Sequence, residues 1–352
     1  MRSKPLFAPW FAFAVIVAVL CAFSARGGDA VSPEWPKGEK LGWPDALHLV
    51  AGPRGGQWNA LGLELEKLLR AEGIPTQNHV GGGVENLRAI GAGEADFGFT
   101  LYSFLGAAGA GEKELPVVDL DNAVLLVNLY PQVLYIIVRS EVARKHNIKA
   151  LGDLLKVKEP IRFSTLPKGT GSEFIFNMLL KSAYRTSYDE LEGQGWSINF
   201  RSYAEITKLF LNSELDVCAY TAGPGTYLIP QLEESDLDAV LLPVEDEMLD
   251  LMTHQFMTIS YIIEKGDYKS VTEDVVTLGD YSSLVVQAKI PEDLVYRINE
   301  IIWNKRSELG KVSGDMNSLS PRFAIAGQSK VHPGSLRFWN SEAMQKLKRG
   351  KR

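Results

Sequence analysis

Twice in this chain a short apolar run leads through a glycine-rich loop into a helix-like repeat. The first is "LHLVAGPRGGQWNALGLELEKLL", from Leu47 to Leu69, and the second is "IRFSTLPKGTGSEFIFNMLL", from Ile161 to Leu180. A similar distance beyond each lies Glu-x-Asp, an apolar run and a threonine: Glu94, Asp96 and Thr100, then Glu214, Asp216 and Thr221. The echo is no strict sequence repeat. It still constrains the fold, because strands alternating with helical patterns build α/β units with largely parallel sheets. Two such units on one plan predict two lobes, each presenting a loop and strand ends to a shared cleft. The carboxyl ends of strands are where open α/β sheets bind ligands.

The rest of the chain fits that plan. At 352 residues it exceeds what one core usually organises. "NAVLLVNLYPQVLYIIVRS" is a nearly continuous apolar segment able to link the lobes, and "VVTLGDYSSLVVQA" from Val275 to Ala288 is a candidate return crossing. "LHLVA" and "ADFGFTL" read as strands. Leu61, Leu65, Leu68 and Leu69 recur at helical spacing, with Gly73 where that helix stops. "IPEDLVYRINEIIWNKRSEL" is the clearest helix, with Pro291 in its first turn and Leu294, Ile298, Ile301 and Ile302 on one packing face. The expected division is residues 46–135 plus 275–345 for one lobe and 136–274 for the other. Residues 31–45 read as a linker and 346–352 as a basic tail.

The first thirty residues are separate. Arg2 and Lys4 precede an apolar run from Leu6 to Phe23 and then small residues, the order of a secretory signal peptide. Cleavage fits after Ser24 or after Ala30. The run also approaches the roughly 20 residues that span a bilayer, so an uncleaved anchor is the alternative. Cutting before Arg26 removes two positive charges and takes the net charge from −6 to −8. That acidity does not suit a phosphate backbone, so nucleic acid is not an expected partner. Cys218 would then be the sole cysteine and reads as a small core residue.

The loops are not nucleotide motifs. "GPRGGQW" and "PKGTGSE" lack the Lys-Ser/Thr pair of a phosphate loop, and "GPRGG" breaks the Gly-x-Gly-x-x-Gly spacing. They keep the physics beneath those motifs: exposed backbone amides and the positive end of the following helix, which suit a carboxylate. Arg54 and Lys168 either add positive charge there or point to solvent. No nucleophile elbow, His-Glu-x-x-His or Cys-x-x-Cys occurs, and the five histidines show no ligand spacing. Nothing in these motifs asks for a catalytic group, a cofactor or a metal, and none of the three is expected. Trp58, Tyr102, Tyr130 and Tyr227 are candidates for a pocket wall, with Tyr130 read rather as core or hinge. Gln57, Asn59, Glu85 and Asn86 are candidates for orienting polar groups.

At these residues the chain resembles the TAXI-type solute-binding proteins of TRAP (tripartite ATP-independent periplasmic) transporters. "GPRGGQWNALG", "GGGVENLRAIGAGEADFGFT", "LYPQVLYIIVRS", "TLPKGTGSE", "AYTAGPGT" and "VHPGSLRFW" follow that family's elements in order, from about Leu47 to Trp339. The resemblance implies a two-lobed periplasmic-binding-protein type II fold, α/β throughout. It also implies a receptor for a small organic anion, a glutamate-like amino acid or dicarboxylate, delivered to a TRAP membrane permease. The alternatives are a sensor that signals to a membrane partner or a small-molecule enzyme on the same fold. Carried over onto this sequence, the ligand-binding positions are Gln57, Trp58, Asn59, Glu85, Asn86, Thr100 and Tyr102. Across the cleft they are Gly169, Thr170, Gly171, Ser172, Thr221, Gly223 and Tyr227. Arg54 joins them as a departure, standing where the family has a small residue. Trp58-Asn59 replaces a paired tyrosine, and "IIEKGDY" replaces Ile-Pro-Ala-Gly-Thr-Tyr.

Overall fold

The computed structural model describes residues 42–349, apart from Glu114, Gly225, Tyr227 and Asp236. The signal segment, most of the linker and the end of the basic tail lie outside the described residues. β1 (Leu47–Val50), β2 (Thr76–His79) and β3 (Phe97–Leu101) form a parallel trio with β1 in the middle. β4 (Ala123–Arg139) follows, a strand of 17 residues in which every position is buried. β5 (Arg162–Thr165), β6 (Ser197–Phe200) and β7 (Val217–Ala222) then repeat the parallel trio with β5 in the middle. Short β8 (Ala239–Leu241) and β9 (Ile259–Ile263) precede β10 (Val275–Gln287).

The trios meet through β4 and β10, which run antiparallel along one another and serve both halves. β10 pairs with β9 through Val275–Gly279 and with β3 through Ser282–Val286. β4 pairs with β7 through Val133–Val138. The sheet order is therefore β2-β1-β3-β10-β4-β7-β5-β6. Each half is three parallel strands plus a strand arriving from the other half, which is the periplasmic-binding-protein type II arrangement. The two segments read as crossings are these two strands. Because they are antiparallel, each half is a mixed sheet rather than a largely parallel one.

The passage between halves lies at Tyr130–Gln132, opposite Asp280–Ser282. Pro131 has no N–H to give the ladder, and central strands tolerate proline only at irregularities. The register shifts here, between Ser282 and Ser283. α1 (Gln57–Ala71) buries Leu61, Leu65, Leu68 and Leu69, and Gly73 beyond its end has φ +78°. α2 (Gly83–Gly91) precedes β3, and α3 (Tyr102–Gly109) follows it. The helix read from Ile290 to Leu309 divides into Glu292–Asn304 and Arg306–Val312, and Pro291 is its cap rather than part of its first turn. Leu294, Ile298, Ile301 and Ile302 are all buried as one face. In "VHPGSLRFW", His332 caps the Pro333–Trp339 helix: its Nδ1 accepts from the Gly334 amide, and its Nε2 meets the Ile290 carbonyl at 3.0 Å. Among the described residues no helix is long and apolar enough to cross a membrane.

Candidate functional site

A cavity of about 540 Å³ opens where the two trios face each other across β4. Its walls come from the starts of three helices at Gln57, Gly171 and Tyr203, the ends of β3 and β7, the loops at Pro53, Leu166 and Thr226, Gln132 of the crossing strand, and Asp315. The carboxyl-end geometry expected of open α/β sheets is therefore present.

From the first half come Pro53, Gln57, Trp58 and Leu101. The loop before α1 turns at Gly55, whose φ of +81° favours glycine. Gly56 caps α1 in extended conformation and offers no side chain. The amides of Gln57, Trp58 and Asn59 therefore begin the helix without an intrahelical acceptor, and the dipole's positive end faces the cavity. Distant groups fix the side chains. Trp58 donates its indole N–H to Ser282 Oγ at 2.7 Å and stacks on Phe99, 5.9 Å between centroids. Gln57 Nε2 donates to Asp315 Oδ2 at 2.7 Å and to Ser313 Oγ, and Tyr130 donates its hydroxyl to Gln57 Oε1 at 3.4 Å. Burial holds the Tyr130 phenol well above its ordinary range, so it remains a donor.

The second half contributes Leu166, Thr170, Gly171, Ser172, Tyr203, Thr221, Ala222, Gly223 and Thr226. Here the loop closes on itself. Thr170 Oγ1 donates to the Pro167 carbonyl at 2.8 Å and accepts from the Glu173 amide, capping the Gly171–Met178 helix. Ser172 Oγ accepts from the Thr221 amide at 2.7 Å, tying that helix to β7. Tyr203 donates to the Thr221 carbonyl at 2.6 Å. The amides of Gly171 and Ser172, in the first turn, have no intrahelical acceptor.

Of the residues singled out from sequence, seven line this cavity: Gln57, Trp58, Thr170, Gly171, Ser172, Thr221 and Gly223. The others lie elsewhere for identifiable reasons. Arg54 is exposed outside the lining, and half-buried Asn59 is also outside it. Glu85 is exposed and accepts from Arg88 at 2.7 Å. Asn86 is buried; its amide N–H groups bond the carbonyls of Ala51 at 2.6 Å and Phe99 at 2.8 Å, and its oxygen accepts from the Gly82 amide. It pins two strand ends and a loop, a full-time structural occupation. Thr100 Oγ1 donates to the Gly83 carbonyl at 3.0 Å. Tyr102 is buried, and its hydroxyl accepts from the Ser329 amide at 2.8 Å. Gly169, at φ +85°, turns the second loop beside a different hollow, where Lys168 Nζ sits 4.8 Å from the Phe200 ring centroid. Tyr227 lies outside the described residues.

Several lining residues went unread in the sequence. Gln132 carried a usable signal, as a polar side chain inside an otherwise apolar run. Asp315 carried none: it sits in a short 3₁₀ turn, Gly314–Ser318, and meets Gln57 across more than 250 residues. No lysine, arginine or histidine lines the cavity among the described residues, and Asp315 is its one charged group. Beneath the cavity, Asp280 on β10 is fully buried. It accepts from the Ser103 amide at 3.0 Å and the Ser103 hydroxyl at 2.6 Å, at the start of α3. Burial pushes its carboxyl up to about 7, against these hydrogen bonds.

Fold and site together define a two-half α/β protein of the type II periplasmic-binding arrangement, with a cavity at the passage between halves. The chain belongs to the NMT1-like family, whose profile matches residues 49–342. It is also similar to solved structures at low identity. MatC (Rpa3494) from Rhodopseudomonas palustris with bound malate is 16% identical, with 79% of this chain and 90% of that one covered and a TM-score of 0.45. The GluR0 ligand-binding core from Nostoc punctiforme, in complex with L-glutamate, is 12% identical, covering 79% and 98% at 0.40. The alkanesulfonate-binding protein SsuA from Xanthomonas axonopodis pv. citri, bound to MOPS, is 14% identical, covering 84% of each at 0.38.

Proposed function

We propose that this protein is an extracytoplasmic receptor that binds a small carboxylate-bearing solute between its two halves and delivers it to a TRAP-type membrane permease. The observation that carries the reading is the convergence of two helix starts on one cavity of about 540 Å³. One is uncapped at Gly56 and the other presents Gly171 and Ser172. Amides at both ends suit a carboxylate, and a charge-assisted hydrogen bond contributes roughly 1.5–3 kcal/mol. A few such bonds reach micromolar affinity after the cost of ordering. Closure follows if the solute adds contacts that only the closed arrangement makes. Glutamate-like amino acids and dicarboxylates are the classes the TAXI resemblance implies. The signal-like first thirty residues support delivery outside the cytoplasm. In this reading the protein is a carrier rather than an enzyme.

The test is a thermal-shift screen of the purified protein against glutamate, glutamine, 2-oxoglutarate and C4–C6 dicarboxylates. A ligand at a hundred times its dissociation constant stabilises by about 2.7 kcal/mol. A shift with a carboxylate and none with its uncharged amide or ester supports the receptor. No shift across the panel, repeated with apolar amino acids and monocarboxylates, removes it.

A further inference from the structure

The cavity's chemistry narrows the solute beyond the proposed receptor, and this step rests on that reading. A site built for a dianion ordinarily supplies a cation, since a buried or half-buried charge is costly without an opposite partner. Here the lining has none among the described residues, and its single charge is the Asp315 carboxylate. Asp315 comes from the first half, and the second half closes over it: an added Cβ at Gly223 would lie 2.1 Å from its Oδ1. Among the described residues, the one side-chain donor to its carboxylate is Gln57, to a single oxygen at 2.7 Å. An acceptor-only group with spare lone pairs lines the space a solute would fill. A second carboxylate placed there would be repelled. Much of the remaining wall is apolar, from Pro53, Trp58, Leu101, Leu166 and Ala222.

We infer that the cavity selects an ammonium-bearing carboxylate with an apolar body, of the chemical class of an apolar α-amino acid, with Asp315 receiving the ammonium group. The solute's carboxylate goes to the helix-start amides, its ammonium to the Asp315–Gln57 pair, and its side chain against Trp58 and the leucines. Asp315 is then the residue that separates amino acids from dicarboxylates.

Matched solutes that differ only in the ammonium test this on the unmodified protein by calorimetry: leucine against 4-methylpentanoate, phenylalanine against 3-phenylpropanoate, and glutamate against glutarate. The expected result is that at least one apolar amino acid binds, at least tenfold more tightly than its deamino partner and more tightly than glutarate or malate. Asp315→Asn, checked for an unchanged thermal transition, should lose that discrimination by weakening the amino acid tenfold or more while sparing the deamino acid. Equal affinity within each pair overturns the inference, and so does a preference for a dicarboxylate; either leaves the receptor standing. Equal weakening of both partners in Asp315→Asn makes the residue a contact between halves and overturns it too. Absence of binding by every carboxylate sinks the receptor reading and this inference with it. The comparison on the unmodified protein stands even if the variant fails to fold.

Discussion

The two glycine loops do the same job by different means. The second is self-contained: Thr170 caps its own helix, Gly169 turns on its own φ, and Ser172 ties the start to β7, all within the second half. The first has no side-chain cap, and groups far along the chain hold its residues. Ser282 takes the Trp58 indole, Asp315 and Ser313 take the Gln57 amide, and nearby Asp280 holds the start of α3. The hydrogen bonds of the second wall are thus made within the second half. The first wall is made by the return of the chain through β10 and the turn at Gly314–Ser318. Perturbing the return should therefore be felt at the first wall and spare the second.

Asp280 offers the largest effect. Below about pH 4 its carboxyl is protonated in both folded and unfolded chains. Between about 4 and 7 the unfolded chain releases the proton while the folded chain keeps it, so folded stability falls as pH rises through that window and levels off above it. The span from an unfolded value of about 3.9 to about 7 bounds the loss at roughly 4 kcal/mol. Asp280→Asn stays neutral; its Oδ1 can still accept from the Ser103 amide, and its Nδ2 can donate to the Ser103 hydroxyl in place of the bond the carboxyl accepted. Urea unfolding from pH 4.5 to 8 should show the wild type losing stability relative to the variant as pH rises. Parallel curves would mean that Ser103 outweighs burial.

Next is Trp58→Ala, which removes the stack on Phe99, the bond to Ser282 and a cavity wall. Large aromatic truncations in cores cost about 3–5 kcal/mol; half-buried Trp58 should cost about 2–4, read as a lower urea midpoint. A cost under 1 kcal/mol would show that the first wall does not depend on its distant partners. Smaller again is Gly223→Ala, whose methyl meets the Asp315 carboxyl. The carboxylate must then leave Gln57 or the halves must part, so solute affinity should drop about tenfold, the equivalent of ~1.4 kcal/mol. Gly193→Ala, with open space around it, is the control. Equal affinities for the two variants would remove the contact between halves from the binding step.

This asymmetry also explains what could be read in advance. Strand, glycine loop and helix repeat were legible twice because they rest on local periodicity and turn chemistry. β4 and β10 were legible because each is a long run in which apolar residues predominate, even though Gln132 and Asp280 interrupt them. Thr170, Gly171 and Ser172 were legible because the second loop's partners lie within the second half, several of them a few residues away. Asp315 was not, since nothing in "SGDMNS" marks a residue that will face Gln57 from the other end of the chain. Asn86, Thr100 and Tyr102 show the converse limit. Sequence placed them beside the site, but buried polar side chains that already have partners are committed to holding backbone in place. The ammonium-seeking character of the cavity was invisible for the same reason as Asp315. It depends on which charges are absent from a wall assembled from seven separate segments of the chain.

The smallest effect is the sharpest test of the local side. Thr170→Ala removes an N-cap hydroxyl, a change that costs about 1 kcal/mol, while Thr170→Ser retains the hydroxyl and should recover most of it. If the second loop is self-contained, that cost should be the same with and without Asp280→Asn, because sites without shared partners add. Trp58→Ala and Asp280→Asn, which share the β10 passage, should instead couple by 0.5 kcal/mol or more, on the order seen for neighbouring residues. Denaturant double-mutant cycles measure both. Coupling of Thr170 to Asp280 as large as that of Trp58 would mean that the passage organises both walls alike, and the contrast between the loops would fall.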